Sequence, residues 1–188
     1  EIALELSRLG IKTTLISGPT DLKFSKEIKV KRVTSGKEMF DVVKKALPTD
    51  IAVCSAAVSD FKPVIKKKQK IKKKIKLDQI KLEYNPDILE FLGKNNRYKP
   101  KLLVGFSAET ENIINNSIEK MQNKFCDIMI ANDVSKKDVG FNVDLNEVTL
   151  IDKKGNIEKI KKNSKKFIAS VIARKIMNSF LDIKKNLN

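Results

Sequence analysis

Hydrophobic positions in this chain follow two rhythms that take turns. One is a spacing of three or four residues, as on one face of a helix; the other is a short β-branched run, as in a buried strand. Residues 1–9 read as a helix with Ile2, Leu6 and Leu9 on its apolar face, ended by Gly10. Residues 11–17 (IKTTLIS) read as a buried strand broken by Gly18-Pro19, and 28–33 as a second strand. Ser35 is placed to cap a helix over 36–46, with Met39, Phe40, Val43 and Leu47 as its inner stripe, and Pro48 closes that unit. Residues 51–57 (IAVCSAA) are small and apolar throughout, which predicts a central parallel strand covered on both faces.

A lysine-dense stretch over 61–76 interrupts the rhythm. Asn85-Pro86-Asp87 then opens a helix, with Pro in the first turn and Asp87 at the positive helix end. Residues 102–107 (LLVGFS) and 127–131 (DIMIA) read as buried strands on either side of an amphipathic helix over 111–124 that uses Ile114, Ile118 and Met121. Apolar runs at 148–151 and 157–160 flank Lys153-Lys154-Gly155-Asn156, a hairpin signal, and a helix over 165–181 follows. The alternation predicts an α/β fold of one domain over 1–188: a doubly wound, mostly parallel sheet with a late antiparallel hairpin. Such a domain opens on a strand whose first turn is a glycine-rich phosphate loop. This pattern opens on a helix, so the N-terminal strand and phosphate loop are expected to be missing from these residues.

Composition narrows the chemistry. The chain is 41% hydrophobic, enough for a core, and 33% charged. No apolar run approaches the ~20 residues of a membrane span, and the opening segment is amphipathic rather than a secretory leader; a cytoplasmic protein is expected. Histidine is absent, which excludes imidazole bases and ligands and leaves Lys, Asp, Glu, Asn, Ser and backbone groups. Cys54 and Cys126 stand isolated in apolar stretches and read as buried free thiols. The net charge of +16 raises nucleic-acid binding. Yet arginine occurs only at Arg8, Arg32, Arg97 and Arg174, tryptophan is absent, and nucleic-acid surfaces favour arginine forks and stacking aromatics.

Ligands of open α/β sheets sit beyond the carboxyl ends of the strands. The segments there are Gly18 to Thr20, Ser55 to Asp60, Gly105 to Thr110 and Ala131 to Ser135, all small or polar, as close backbone approach to a ligand requires. The same residue types cap helices, so each segment alone is equally ordinary loop chemistry. The lysine run reads either as a solvated loop or as a flap that closes over a polyphosphate and excludes water. Lys120 and Lys124, at i and i+4 on one helix face, repel mildly unless a phosphate bridges them; a basic solvent face is the alternative.

In order along the chain stand Ile16-Ser17-Gly18-Pro19-Thr20, Ser55-Ala56-Ala57-Val58-Ser59-Asp60-Phe61, a Lys-x-Lys-Lys element, Asn85-Pro86-Asp87-Ile88, Val104-Gly105-Phe106-Ser107-Ala108-Glu109-Thr110, Ala131-Asn132-Asp133-Val134-Ser135 and Gly140-Phe141-Asn142. Together they resemble the phosphopantothenate–cysteine ligase family, over residues 1 to about 181. The resemblance implies a Rossmann-like homodimeric enzyme. It would join 4′-phosphopantothenate to L-cysteine with CTP and Mg²⁺ through an acyl cytidylate, releasing pyrophosphate and CMP. It implies that Lys70, the first lysine of Lys70-Ile71-Lys72-Lys73, is a catalytic flap lysine that also contacts the nucleotide. By the same resemblance, Asp60 would contact the nucleotide, Asn85, Pro86, Asp87, Ile88 and Phe106 would form the cytidine pocket, and Lys120 and Lys124 would bind the same nucleotide. Ala56 and Ala57 would line the phosphopantothenate site, with Asn132 and Asp133 in the same cleft. The resemblance leaves the metal ligands open.

The family's opening Asn-x-Ser-Ser-Gly-x-x-Gly segment would lie upstream of Glu1, so these residues alone are expected to be inactive or badly impaired. Fusion to, or association with, a flavin-dependent decarboxylase domain is a further implication. A dinucleotide-dependent oxidoreductase would need Gly-x-Gly-x-x-Gly after a first strand and an acidic residue closing the second, and neither pattern is present. A non-enzymatic basic nucleic-acid-binding α/β module stays as the alternative; its affinity would fall steeply with salt.

Overall fold

The computed structural model describes residues 1–65, 69, 79–95, 97–135 and 144–186. Among these residues fourteen elements follow one another: α1 (Ile2–Arg8), β1 (Thr14–Ser17), β2 (Lys29–Arg32), α2 (Gly36–Ala46), β3 (Ile51–Cys54), β4 (Phe61–Pro63), β5 (Leu82–Tyr84), α3 (Ile88–Lys94), β6 (Leu102–Glu109), α4 (Ile113–Asn123), β7 (Ile128–Asp133), β8 (Leu145–Asp152), β9 (Ile157–Ser164) and α5 (Lys165–Lys185). Five strands form the main sheet in the order β3-β6-β7-β8-β9. The β3–β6 and β6–β7 pairs are parallel, whereas β7–β8 and β8–β9 are antiparallel. β1 and β2 form a separate parallel pair, and β4 and β5 an antiparallel ribbon.

The period-two side-chain alternation of β6 and β7 divides the core into two layers. Leu102, Val104, Ile128 and Ile130 face α5 and meet Ile168, Ile172 and Ile176 there, with Leu6 of α1 in the same cluster. Leu103, Met129 and Ala131 face the other way and meet Leu92 of α3 and Met121 of α4. Local chemistry sets the element ends. Ser35 accepts the Glu38 amide at 3.2 Å while the Glu38 carboxylate accepts the Thr34 amide at 2.7 Å, so each residue satisfies a donor the helix start would leave free. Ser164 caps α5 through the Phe167 amide at 3.2 Å. In the β8–β9 turn Gly155 takes φ +85°, a conformation open to glycine, and the Asp152 carboxylate accepts the Lys154 and Asn156 amides.

The α/β class and the late hairpin agree with the sequence pattern, and several details correct it. The sheet is interrupted, because β1 is hydrogen-bonded to β2 and not to β3. The strand expected over 51–57 stops at Cys54, where its ladder with β6 ends at Gly105, and it is half-buried at every position rather than covered on both faces. The strand expected from residue 11 starts at Thr14. Residues 61–63, expected to begin the flap, form β4 and pair with β5 beyond the lysine run. That pairing sets the Phe61 and Tyr84 rings 4.8 Å apart on one face and the Lys62–Glu83 ion pair on the other. Lys70, the Lys-x-Lys-Lys element and Gly140-Phe141-Asn142 lie outside the described residues.

Gly93 brings α3 against the end of α4. A Cβ at this position would overlap the Lys124 carbonyl oxygen and approach Phe125 Cβ to 3.1 Å. Backbone on both sides leaves no flexible group to yield, so Gly93→Ala is expected to lower the unfolding free energy by about 1–3 kcal/mol, read as a reduced urea midpoint.

Candidate active site

A cavity of about 1800 Å³ runs along β1 and β3 and reaches the loops at their carboxyl ends. Its rim is built by the loop after β3. The Asn85 amide donates to the Asp60 carbonyl at 2.8 Å, and the Asn85 side-chain amide donates to the Ser59 carbonyl at 2.8 Å. These bonds hold the segment before α3 onto the segment after β3. Gly36, first residue of α2, permits this closeness: a Cβ there would stand 2.8 Å from Val58 Cγ1 and 3.6 Å from Asn85 Cγ. Asp60 is thus an exposed carboxylate on a backbone fixed at both ends of a short loop.

The opposite wall comes from α3 and α4. Asp87 caps α3 by accepting the Glu90 amide at 2.8 Å. Lys124, just past the last turn of α4, donates to the Asp87 carboxylate at 2.9 Å and to Glu90 at 2.7 Å. Lys94 binds the other Glu90 oxygen. Lys124 and then Lys94 hold the Glu90 carboxyl down at about 2, and the two carboxylates raise the Lys124 ammonium above its ordinary value. Lys120, one turn earlier, makes no ion pair among the described residues. The two lysines therefore differ in kind. Lys124 is neutralised by protein carboxylates, while Lys120 lines the cavity with no carboxylate partner among the described residues.

Asp60, Asn85, Pro86, Asp87, Ile88, Phe106, Lys120, Lys124 and Ala56 all line this cavity. Ala57 follows Ala56 in the same loop but is not part of the lining. Asn132 and Asp133 lie at the end of β7, paired with Ala108 and Glu109 of β6, and are not part of the lining either. Asn132 Oδ1 is buried there without a hydrogen bond among the described residues. Lys70 lies outside those residues. The cavity also takes in residues that sequence reasoning missed. Asn116 lies four before Lys120 on the same face of α4, a spacing that was available to find it. Phe61 and Tyr84 are brought together by a pairing across the lysine run, for which no local signal exists.

Cys54 lines the cavity, but burial, helped by the Asp87 charge, pushes its thiol up to about 12; burial does the same to Cys126. Both thiols stay protonated at neutral pH and are poor nucleophiles. Among the described residues no group of three or more carboxylates or cysteines could hold a metal ion.

A sheet with parallel strands, and a cavity reached by the loops that leave them, is the α/β architecture in which open sheets generally take ligands at the strand ends. The chain belongs to the family of DNA/pantothenate metabolism flavoprotein C-terminal domains, whose model matches residues 1–180. It is 34% identical over 180 residues to the coenzyme A biosynthesis bifunctional protein CoaBC of Haemophilus influenzae, covering 95% of this chain and 44% of that protein. It is 37% identical over 171 residues to a prokaryotic cysteine/cysteine sulfinic acid decarboxylase, covering 90% of this chain and 47% of the relative. The crystal structure of the C-terminal domain of a CoaBC protein superposes with a TM-score of 0.74 at 26% identity, over 98% of this chain and 81% of that one. The chain thus spans less than half the length of the curated relatives it matches.

The depressed Glu90 carboxyl gives a pH test. The stabilisation from its ion pairs is present above the ordinary value of 4.5 and is lost as pH falls from there through about 2. Thermal unfolding of Glu90→Gln is expected to show a flatter loss of Tm over that window than the parent chain. Parallel acid limbs would show that these pairs add nothing to folding.

Proposed function

We propose that the chain is the ligase half of a coenzyme A biosynthesis enzyme, joining 4′-phosphopantothenate to L-cysteine with CTP. The observation that carries this reading is the convergence of Asp60, Asn85, Phe106 and Lys120, from four separate segments, on one cavity at the strand ends. The names of the CoaBC relatives support the pathway, and their length supports a second domain joined to or associated with this one, a flavin-dependent decarboxylase in this reading. The working form is a cytoplasmic homodimer; no helix among the described residues is long and apolar enough to cross a membrane.

In the first step a carboxylate oxygen of 4′-phosphopantothenate attacks the α-phosphorus of CTP. The bond to the bridging oxygen breaks, pyrophosphate leaves and an acyl cytidylate forms. The cysteine nitrogen then attacks the acyl carbon, CMP leaves with the carbon–oxygen bond pair, and the amine gives up a proton. Both steps depend on positioning and on compensating phosphate charge, which suits a chain without histidine. Lys120 supplies the uncommitted ammonium for the phosphates. Lys124 draws Asp87 and Glu90 together and so shapes the wall formed by Asn85 to Ile88. Phe106 offers an apolar face to the cytidine, and Ala56 and Ala57 allow close approach of the pantothenate arm. Asn132 and Asp133, one strand further on, flank the same substrate. Lys70 is the flap lysine that meets the nucleotide and assists catalysis. Exposed carboxylates such as Asp60 and Asp87 line the cavity, yet among the described residues none gather into a metal-holding cluster, which fits Mg²⁺ carried in on the triphosphate, where it would neutralise phosphate charge.

The deciding experiment is pyrophosphate release by the natural full-length chain given CTP, Mg²⁺, 4′-phosphopantothenate and cysteine. Release that requires all of them supports the ligase. No release above background, with polyanion binding that weakens steeply in salt, would favour the basic nucleic-acid module instead. In that assay Lys70→Gln is expected to lower turnover about 100-fold, about 2.7 kcal/mol of transition-state stabilisation. Lys120→Ala is expected to raise the KM for CTP about 10-fold or more, in keeping with loss of one charge-assisted contact. Unchanged kinetics in either variant would remove that residue from the mechanism.

A further inference from the structure

Two hydroxyls meet inside the core layer between the sheet and α4. Ser107 of β6 and Ser117 of α4 are both buried, Ser117 completely, and their oxygens are hydrogen-bonded to each other. By the alternation of β6, Ser107 lies on the same face as Leu103, against α3 and α4. Around the pair α4 presents Ile113, Ile114, Ile118 and Met121 to that layer.

Apolar burial is not directional, so by itself it holds the rotation and height of a helix on a sheet only loosely. A buried hydroxyl pair is directional, and a shift that parts it leaves polar groups without partners. The start of α4 has little else to fix it. Its N-cap, Asn112, takes φ +47° and makes no side-chain capping bond, and the first turn carries no acid. At the other end Lys124 is tied to Asp87 and Glu90 at the start of α3. Lys120 stands between these two anchors, one turn after Ser117 and one turn before Lys124. Lys120 lines the cavity, and so does Phe106, the neighbour of Ser107 on β6.

We infer that Ser107 and Ser117 are positioning residues: their buried bond fixes α4 on β6, and with it the place of the Lys120 ammonium relative to the Phe106 ring. Neither serine lines the cavity, so both act through the residues beside them. The functional consequence rests on the ligase reading, in which Phe106 meets the cytidine and Lys120 the phosphates. The bond then sets the span between the group that holds the base and the group that holds the phosphate chain. The fix on the helix itself does not depend on that reading.

The natural full-length chain tests this with Ser117→Ala, with Ser107→Ala/Ser117→Ala, and with the double change combined with Lys120→Ala. Ser117→Ala leaves Ser107 buried without its partner and is expected to lower the urea midpoint. The double variant removes both polar groups and is expected to regain most of that midpoint. It is nevertheless expected to keep a KM for CTP about 5-fold above the parent's, with kcat little changed. A merely structural role would return KM together with stability. In the Lys120→Ala background the double change is expected to add nothing further to KM, because the serines act through that lysine. A parent-like KM in the double variant would overturn the proposal, as would an equal rise in KM with and without Lys120. Amide exchange without nucleotide separates this from the ligase reading. The amides from Ser117 to Asn123 are expected to exchange about 10-fold faster in the double variant; unchanged exchange overturns the fix on α4 whatever the kinetics. Faster exchange in a chain whose parent releases no pyrophosphate upholds that fix and overturns the ligase reading alone.

Discussion

A parallel strand must be hydrogen-bonded on both edges and covered on both faces when it lies inside a sheet, and this requirement governs the molecule. β6 and β7 meet it fully: each is paired on both sides, and their central residues are wholly enclosed between the α5 layer and the α3–α4 layer. β3 meets it on one edge only, and its side chains are half-buried in consequence. The same shortfall opens the large cavity along β1 and β3, and Asp60, Asn85, Phe106 and Lys120 all line it. Burial, pairing and site geometry follow from one cause.

Charge completes what the sheet begins. A chain with a net charge of +16 has cations to spare, and the informative ones are those whose charge is already spoken for. Lys124 is held by Asp87 and Glu90, which joins the start of α3 to the end of α4 where Gly93 lets the two backbones touch. Lys153 donates to the buried Asp127 at 2.7 Å, and the same carboxylate accepts the Leu103 amide at 2.8 Å, so the β8–β9 turn is tied to the amino ends of β6 and β7. That second clamp lies at the opposite end of the sheet and is structural. Lys120 has no such carboxylate among the described residues. Two uncompensated ammonium groups a helical turn apart would repel, and the pairing of Lys124 relieves Lys120 of that repulsion.

The rim loops show why small residues recur in this sequence. Gly36 brings the start of α2 against Val58 of the loop after β3, and Asn85 fastens that loop with one backbone and one side-chain bond. A larger residue at Gly36 would push Val58 and Asn85 outward and carry Asp60 with them. The position of Asp60 thus depends on a glycine whose own contacts are to Val58 and Asn85.

Much of the fold was legible in the sequence, because helix and strand periods are local properties. The helix over 36–46 with its Ser35 cap, the strand from Leu102, the hairpin around Gly155 and the long C-terminal helix all stand where their patterns put them. Asp60 and Phe106 stand in segments that the pattern placed beyond strand ends, whereas Asn85 and Lys120 were named through the family resemblance; all four line the cavity. What the sequence could not determine is long-range pairing. The β4–β5 ribbon joins residues on either side of the lysine run and makes an aromatic pair of Phe61 and Tyr84. The difference between Lys120 and Lys124 arises only when α3 delivers its carboxylates to one of them. The composition of residues 51–57 specified a central strand, but whether that strand has two neighbours or one depends on which backbone edges meet in space. A one-dimensional pattern encodes which face of an element is apolar; the partner that covers it is chosen by tertiary packing.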